Sequence, residues 1–391
     1  RPRIGANEPL LVPYQIPIIG HTHKFLFNSE NFLRECREKY GEPFSLYVFG
    51  SVITFTGIET SHDVLKNSDI FDFHAAFDKI HPLNQILCRF KKFNSQEFLA
   101  RAVYEQISGK ISLYLSRIQK EHLLGIKKYF GDCKKPKVFK NVRSKLSRII
   151  ARSIASILFD VFAKHFKSVI EERVCQRKEF GKEYIQKEDL LDFYLSDPHF
   201  ETDVVDDQYM NELFGQIPEI WDEIYEEQLK IHNESNGNIN KDDVHKMVKL
   251  DCFIKESFRH STDIAQLMHI MTGDSFTFNN GVTIPKDTAF SEKYFGKTAN
   301  EFQPKRHLTS YSNGKIIHSP ATKINKSFIN FGGGKHACPG RFFAVSEIKM
   351  IFHKLILKYK IKTESGKIEP AIIISAFSFP PNSGLIFENR D

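Results

Sequence analysis

Phe331-Gly332-Gly333-Gly334-Lys335-His336-Ala337-Cys338-Pro339-Gly340 puts one cysteine on a glycine-rich loop that runs directly into a helix-forming stretch. Glycine reaches backbone conformations closed to other residues, so Gly332, Gly334 and Gly340 let the Cys338 sulfur and nearby N–H groups approach a flat group. Apolar residues Phe342-Phe343, Ile348, Ile351-Phe352 and Leu355-Ile356 then recur at helical spacing. The positive end of that helix favours negative charge on the loop. A buried cysteine at a turn is the plainer reading of such a stretch, and other segments of the chain decide between the two.

Two of those segments precede the loop, Glu256-Ser257-Phe258-Arg259 and then Pro304-Lys305-Arg306-His307. In this order the three segments resemble the cytochrome P450 superfamily. Its signature F-x-x-G-x-[RH]-x-C-x-G is matched at Phe331, Gly334, His336, Cys338 and Gly340, and its E-x-x-R at Glu256 and Arg259. Its P-E-R-F segment is matched at Pro304 and Arg306, while Lys305 and His307 depart from it. The resemblance implies that residues 328–340 form a haem-ligand loop, with Cys338 as the axial thiolate of heme b and His336 at a haem propionate. It also implies a structural network of Glu256, Arg259 and Arg306 that holds the loop without performing catalysis. Residue spacing alone puts Glu256 and Arg259 on one helical face, which by itself describes an ordinary surface pair.

By the same resemblance the expected chemistry is that of a haem-thiolate monooxygenase, inserting one oxygen atom from dioxygen into an apolar substrate. Electrons would come from NADPH through a partner flavoprotein reductase. Two other readings stay open: a haem-thiolate isomerase of peroxides, which needs neither reductase nor proton relay, and a truncated haem-binding remnant without activity. Ile18-Ile19-Gly20-His21 and Lys39-Tyr40-Gly41 look like the sterol-oxidising branches, pointing to a sterol or lipid substrate. Ile264 and Leu267, after the E-x-x-R helix, and Phe377 and Phe379, near the C-terminus, are candidate pocket residues. Each fits plain core equally well.

Composition narrows the classes. A formal charge of +7, with basic residues dispersed, argues against nucleic acid. Lys127-Lys128 and Lys134-Lys135-Lys137 read as solvated loop charges, the alternative being a basic face for an acidic electron donor. Cysteines 36, 88, 133, 175, 252 and 338 have neither zinc spacing nor a disulfide framework, which fits a reducing compartment. No stretch approaches the roughly 20 uninterrupted apolar residues that span a bilayer. The longest apolar run, from Ile149 to Phe162, is broken by Arg152 and Asp160 and reads as a buried amphipathic helix. Thirty-six Phe against one Trp suits a packed helical protein with an apolar pocket.

The expected fold is mainly α, a single cytochrome P450-like domain over residues 1–391 with a triangular helical body and small β-sheets. N- and C-terminal strands are expected to meet in one sheet region. Residues 1–20, with Pro9, Pro13 and Pro17, resemble the proline-rich hinge that follows a membrane anchor. Because the chain starts with Arg1, an anchor upstream is expected, which would place the protein at the cytosolic face of the endoplasmic reticulum membrane. Asn31–Tyr40 predicts a short helix, and Phe44–Phe49 and Val52–Thr56 a hairpin around Gly50-Ser51. Phe276–Phe278 and Val282–Ile284 predict a second hairpin around Asn279-Asn280-Gly281. Helical periodicity dominates between about residues 100 and 260.

Three departures from the family accompany the matches. The central helix usually carries an acid–threonine pair, but Asn211 to Trp221 contains only Glu212-Leu213-Phe214-Gly215-Gln216-Ile217-Pro218, with a new helix predicted from Pro218. Thr272-Gly273-Asp274-Ser275 superficially fits the pattern but follows Glu256 and falls between predicted strands. The W-x-x-x-R helix has no counterpart, and residues Thr288 to Tyr294 are fewer than the family usually has. Three such deficits in a chain otherwise so well matched point to missing exons or an alternative gene model, more than to a designed loss.

Overall fold

The structure is a computed structural model. It describes residues 2, 4–73, 75–76, 100–101, 103–157, 218–261, 269–285, 302–310, 316–325, 328, 330–366, 372–374, 377–379 and 384–390. The expectations for Ile264, Leu267, residues 205–217 and Thr288–Tyr294 lie outside these.

The N-terminal third carries β1 (Leu10–Leu11), α1 (Thr22–Phe27), α2 (Ser29–Tyr40), β2 (Phe44–Val48), β3 (Ser51–Phe55), α3 (Ile58–Lys66) and β4 (Phe71–Asp72). Its predicted hairpin forms with Phe44 opposite Phe55 and Val48 opposite Ser51. The turn needs two left-handed residues, supplied by Phe49 at φ 51° and Gly50 at φ 79°. Phe25, Phe32, Cys36, Phe44, Leu46 and Phe55 close a small core beneath it.

The helical body comprises α4 (Ile111–Tyr129), β5 (Lys137–Phe139), a helix α5 over 142–157, α6 (Pro218–Glu234), α7 (Lys241–Lys246) and α8 (Val248–Ser261). Then follow β6 (Ile270–Met271), β7 (Ser275–Thr277), β8 (Thr283–Pro285), β9 (Leu308–Ser310), β10 (Ile316–His318) and α9 (Arg341–Lys358). The chain closes with β11 (Tyr359–Thr363), β12 (Ile372–Ile374), β13 (Phe377–Phe379) and β14 (Leu385–Asn389). The architecture is mainly α with small sheets. Pro218 opens α6, as its missing N–H permits at a first turn. The second hairpin forms, with Gly281 at φ 81° in its turn, and Thr272–Asp274 connects β6 to β7.

The helix that follows the cysteine loop is the centre of the body. Met350 to Ile356 of α9 are buried at seven successive positions, so the helix is enclosed on every side. It packs among α4, α5, α6 and α8 in the main core, with Ile118, Ile149, Ile231 and Phe253 around it. At its far end Phe130, Phe139, Tyr359 and Phe387 join aromatic rings, Phe130 and Phe387 stacked at 4.7 Å, beneath a sheet ordered β11-β14-β5.

The expectation that N- and C-terminal strands share one sheet is corrected. Among the described residues, β1-β2-β3 forms its own sheet, and β4 pairs with β6 through Phe71 and Met271. Helices α1 and α2 lie beside β12. No described helix is long and apolar enough to cross a membrane.

Helices α4 and α5 meet at Gly125, where an added Cβ would come within 2.6 Å of Ile149 Cγ1. Gly125→Ala gains about 1 kcal/mol of helix propensity but overpacks against a stiff, fully buried isoleucine, costing about 1–3 kcal/mol. Denaturant unfolding should show net destabilisation that reverses sign in an Ile149→Ala background. Equal stability in both backgrounds would mean that the helices do not touch there.

Candidate functional site

Cys338 sits where three pieces of backbone converge. Its N–H donates to the Phe331 carbonyl at 2.8 Å, closing the loop, while the Arg341 guanidinium donates to its carbonyl at 2.8 Å. The Ser108 hydroxyl, on a short π-helix over Val103–Ser108, donates to the Pro339 carbonyl at 2.9 Å. Before the loop, Asn330 donates to the Phe258 carbonyl at 2.9 Å, and the Phe331 ring meets Phe258 edge-on at 5.7 Å. The loop is thereby fastened to the last turn of α8 on one side and continues into α9 on the other.

The glycines serve this docking. Gly334 lies at φ 55°, and a Cβ there would fall 2.6 Å from the Leu65 carbonyl. A Cβ on Gly333 would crowd the Leu65 side chain at 3.2 Å, so the pair lets the loop lie against α3. Gly340 has an ordinary φ of −87° and only Val103 Cγ1 near, at 3.5 Å. The protein itself therefore demands no glycine there.

His336 lies where the loop meets the α3–β4 connection. Its Nε2 donates to the Ser68 carbonyl at 3.1 Å, and its ring faces His269 at 6.3 Å. That nitrogen is committed to the α3–β4 connection, because Gly333 and Gly334 bring the loop onto that segment. Phe377 and Phe379 lie two residues apart on β13, paired with Ile374 and Ile372 of β12.

Glu256, Arg259 and Arg306 come together in the interior. Arg259 Nε and Nη2 donate to the two Glu256 carboxylate oxygens at 3.0 and 2.9 Å, a bidentate fork made possible by three-residue helical spacing. Arg306 Nε lies 2.9 Å from Oε1 as an ion pair. Two further donors were not foreseen from sequence: the Gln303 N–H at 2.7 Å and His307 Nε2 at 2.9 Å. A 3-10 turn at Pro304–His307 folds both toward the carboxylate, and the departure from phenylalanine at His307 was the only signal available. Burial alone would push the Glu256 carboxyl up. The hydrogen bonds from His307, Arg259 and Gln303, with the Arg259 charge, outweigh it and hold the group at about 2. His307 is pushed down by burial despite its bond to Glu256.

Where α8 begins, Glu227 of α6 accepts the Lys249 and Leu250 N–H groups at 2.7 and 3.1 Å. It acts as a cap supplied from another helix. Further along α8, Asp251 accepts from Lys349 of α9 at 2.6 Å, from His318 at 2.9 Å and from the Ala321 N–H at 2.8 Å. The first turn of α8 is thus tied to α6 and α9, while its last turn holds the cysteine loop through Phe258.

The donor chemistry fits a haem-thiolate centre. Of the four described cysteines, Cys36, Cys133 and Cys252 are buried, and burial pushes the Cys252 thiol up to about 12. Among these four only Cys338 is partly exposed, and of them it alone offers a sulfur that a planar group could reach.

Because the Glu256 carboxyl titrates lower when folded than the usual 4.3 or so of an unfolded chain, folding releases its proton. Its stabilisation is complete above about pH 4.3 and is lost as pH falls through about 2, amounting to about 3 kcal/mol. Glu256→Gln should remove that acid-limb dependence and, by stranding buried Arg259, cost about 3–5 kcal/mol at pH 7. Urea unfolding between pH 2 and pH 7 measures both. An acid limb unchanged by the substitution would contradict the assignment.

The family model described as Cytochrome P450 matches residues 213–386. Cytochrome P450 monooxygenase cheE of Chaetomium globosum is 30% identical over 169 residues, 41% of this chain and 33% of the relative. Cytochrome P450 monooxygenase 71 of Postia placenta is 35% identical over 141 residues, 33% of this chain and 28% of the relative. Cytochrome P450 monooxygenase paxQ of Penicillium paxilli is 32% identical over 161 residues, 37% and 31% of the two chains. The matches span about a third of the length of these relatives. The matched residues 213–386, fewer than half of the chain, contain the Glu256 network and the Cys338 loop, and over them the chain is similar to cytochrome P450.

Proposed function

We propose that the chain is a haem-thiolate monooxygenase lineage member acting on an apolar substrate, supplied with electrons from NADPH through a flavoprotein reductase. The observation that carries this reading is the partly exposed Cys338 thiol on a loop locked between α8 and α9. Cys338 would hold heme b through sulfur. When bound, that group supplies oxygen activation, favoured by electron donation from an axial thiolate. The chain's own residues keep the loop in register: Phe258 and Asn330 fasten its start, and Arg341 and Ser108 fix the carbonyls flanking the sulfur.

A sterol or lipid is the substrate class we favour, on Ile18-Ile19-Gly20-His21 and Lys39-Tyr40-Gly41. Location at the cytosolic face of the endoplasmic reticulum membrane, through a segment upstream of Arg1, and a single domain over 1–391 complete the reading. The named relatives are monooxygenases, which supports the reaction class. One sequence feature favours a second reading: no acid–threonine pair lies between Asn211 and Trp221, and an isomerase of peroxides needs none.

Haem-reconstituted protein, reduced under carbon monoxide, should give the strongly red-shifted Soret band of thiolate ligation. Cys338→Ala should abolish it, whereas Cys36→Ala should not. An unchanged spectrum in Cys338→Ala would overturn the assignment. For the reaction, NADPH consumption should yield largely hydrogen peroxide, with little product, because no acid and hydroxyl are available to position the proton-delivering water. Rapid reductase-independent turnover of a lipid hydroperoxide would favour the isomerase instead.

A further inference from the structure

Lys354 lies near the far end of α9, about 20 Å of helix from the cysteine loop. The residue is 8% exposed, and its ammonium donates one hydrogen bond, to the Gly237 carbonyl at 3.2 Å. Among the described residues no carboxylate pairs with it, and burial pushes its pKa down. The described surroundings supply no compensating charge. Burial first, and the Lys354 charge with it, hold neighbouring His122, His232 and His353 below the usual histidine range, hence neutral. Asp243, the nearest acid to His353, is spent on Lys246 at 2.9 Å and on the Asn240 N–H at 3.1 Å. A buried cation left this way is costly unless something offsets it.

Lys354 borders an open groove of about 480 Å³ between α4 and the turn at 236–238, within the range of small-molecule sites. Its wall is fixed, since Gln119 donates to the Ile239 carbonyl at 2.9 Å and accepts its N–H at 3.2 Å. Lys120 stands at the rim with Asn236 and Asn238, and Leu123 and Leu124 line the same groove while 53% and 43% exposed. Two lysines thus adjoin apolar surface that no other part of the described chain covers. An ammonium has three donors, of which Lys354 uses one on protein.

We infer that this groove binds an amphiphilic anion, a carboxylate head taken by Lys354 and Lys120 with an alkyl tail lying over Leu123 and Leu124. A carboxylate presents two oxygens to two cations, and the tail removes the leucines from water. The site is separate from Cys338 and does not depend on the oxygenase reading.

Decanoate titrated calorimetrically into the full chain tests it. Lys120→Gln and Leu123→Ser, both at exposed positions, should each weaken binding about tenfold with unchanged thermal unfolding, and Lys354→Gln should remove it. Acetate, lacking the tail, and decanol, lacking the charge, should bind at least about tenfold more weakly than decanoate. Should Lys354→Gln fail to fold, the two exposed variants decide alone. Decanoate affinity untouched by Lys120→Gln and Leu123→Ser would place any binding elsewhere and overturn the inference, as would acetate binding equal to decanoate.

Discussion

The Glu256 carboxylate is the point on which the rest of this structure depends. It is fully buried, and an isolated carboxylate so placed would cost several kcal/mol after relaxation. Arg259, Arg306, His307 and the Gln303 N–H surround it, and charge-assisted hydrogen bonds are worth about 1.5–3 kcal/mol each. One or two such partners would leave the group unfavourable; this many reverse the balance. The geometry also explains why the donors come from two places. Arg259 is on α8 itself, while Gln303, Arg306 and His307 come from a 3-10 turn more than forty residues later, so satisfying the carboxylate folds that turn onto α8. The cysteine loop then leaves from the same helix end, through Asn330 and Phe331.

A second set of polar contacts fixes α9, and with it the residue three positions before its start, Cys338. Glu347 meets Ser153 of α5 in a short hydrogen bond and lies 3.5 Å from His122 of α4. Burial pushes the Glu347 carboxyl well up and holds His122 down at about 3, helped by the Lys354 charge, so this contact joins neutral groups. Lys349 pairs with Asp251 of α8, and His353 meets Gln228 of α6 at 2.9 Å. Each pairing faces a different neighbouring helix. A hydrophobic helix enclosed on all sides could slide by a turn with little loss of apolar burial. Polar partners at three heights prevent that, because any shift would leave several buried groups unsatisfied at about 1–3 kcal/mol each.

Local signals were legible in the sequence. The Asn279-Asn280-Gly281 turn, the hairpin at Gly50, the start of α6 at Pro218 and the E-x-x-R pair each depend on residues within a few positions of one another. What could not be read is long in range and polar. Asp251, Lys349, Glu347 and Gln228 are polar positions of helices that a helical projection would leave to solvent, and only tertiary packing reveals them as buried partners, with half-buried His318 of β10 joining Asp251. His307 had a visible clue in replacing a phenylalanine, yet nothing nearby named its partner fifty-one positions upstream. Strands of two or three residues carry too little pattern to specify who pairs with whom, and the pairing of β4 with β6 had no signal in the sequence.

The loop shows how a cofactor signature can also be a folding device. Gly333 and Gly334 are needed because Leu65 and Ser68 stand within van der Waals reach, and His336 is drawn to the Ser68 carbonyl by the same approach. These constraints operate before any prosthetic group enters. Gly340 is the exception, with neither an unusual φ nor a crowding neighbour. The signature therefore contains residues that build the loop and one, Gly340, at which the described neighbours require no glycine. The first kind finds its partners in α3, the connection at Ser68 and the last turn of α8.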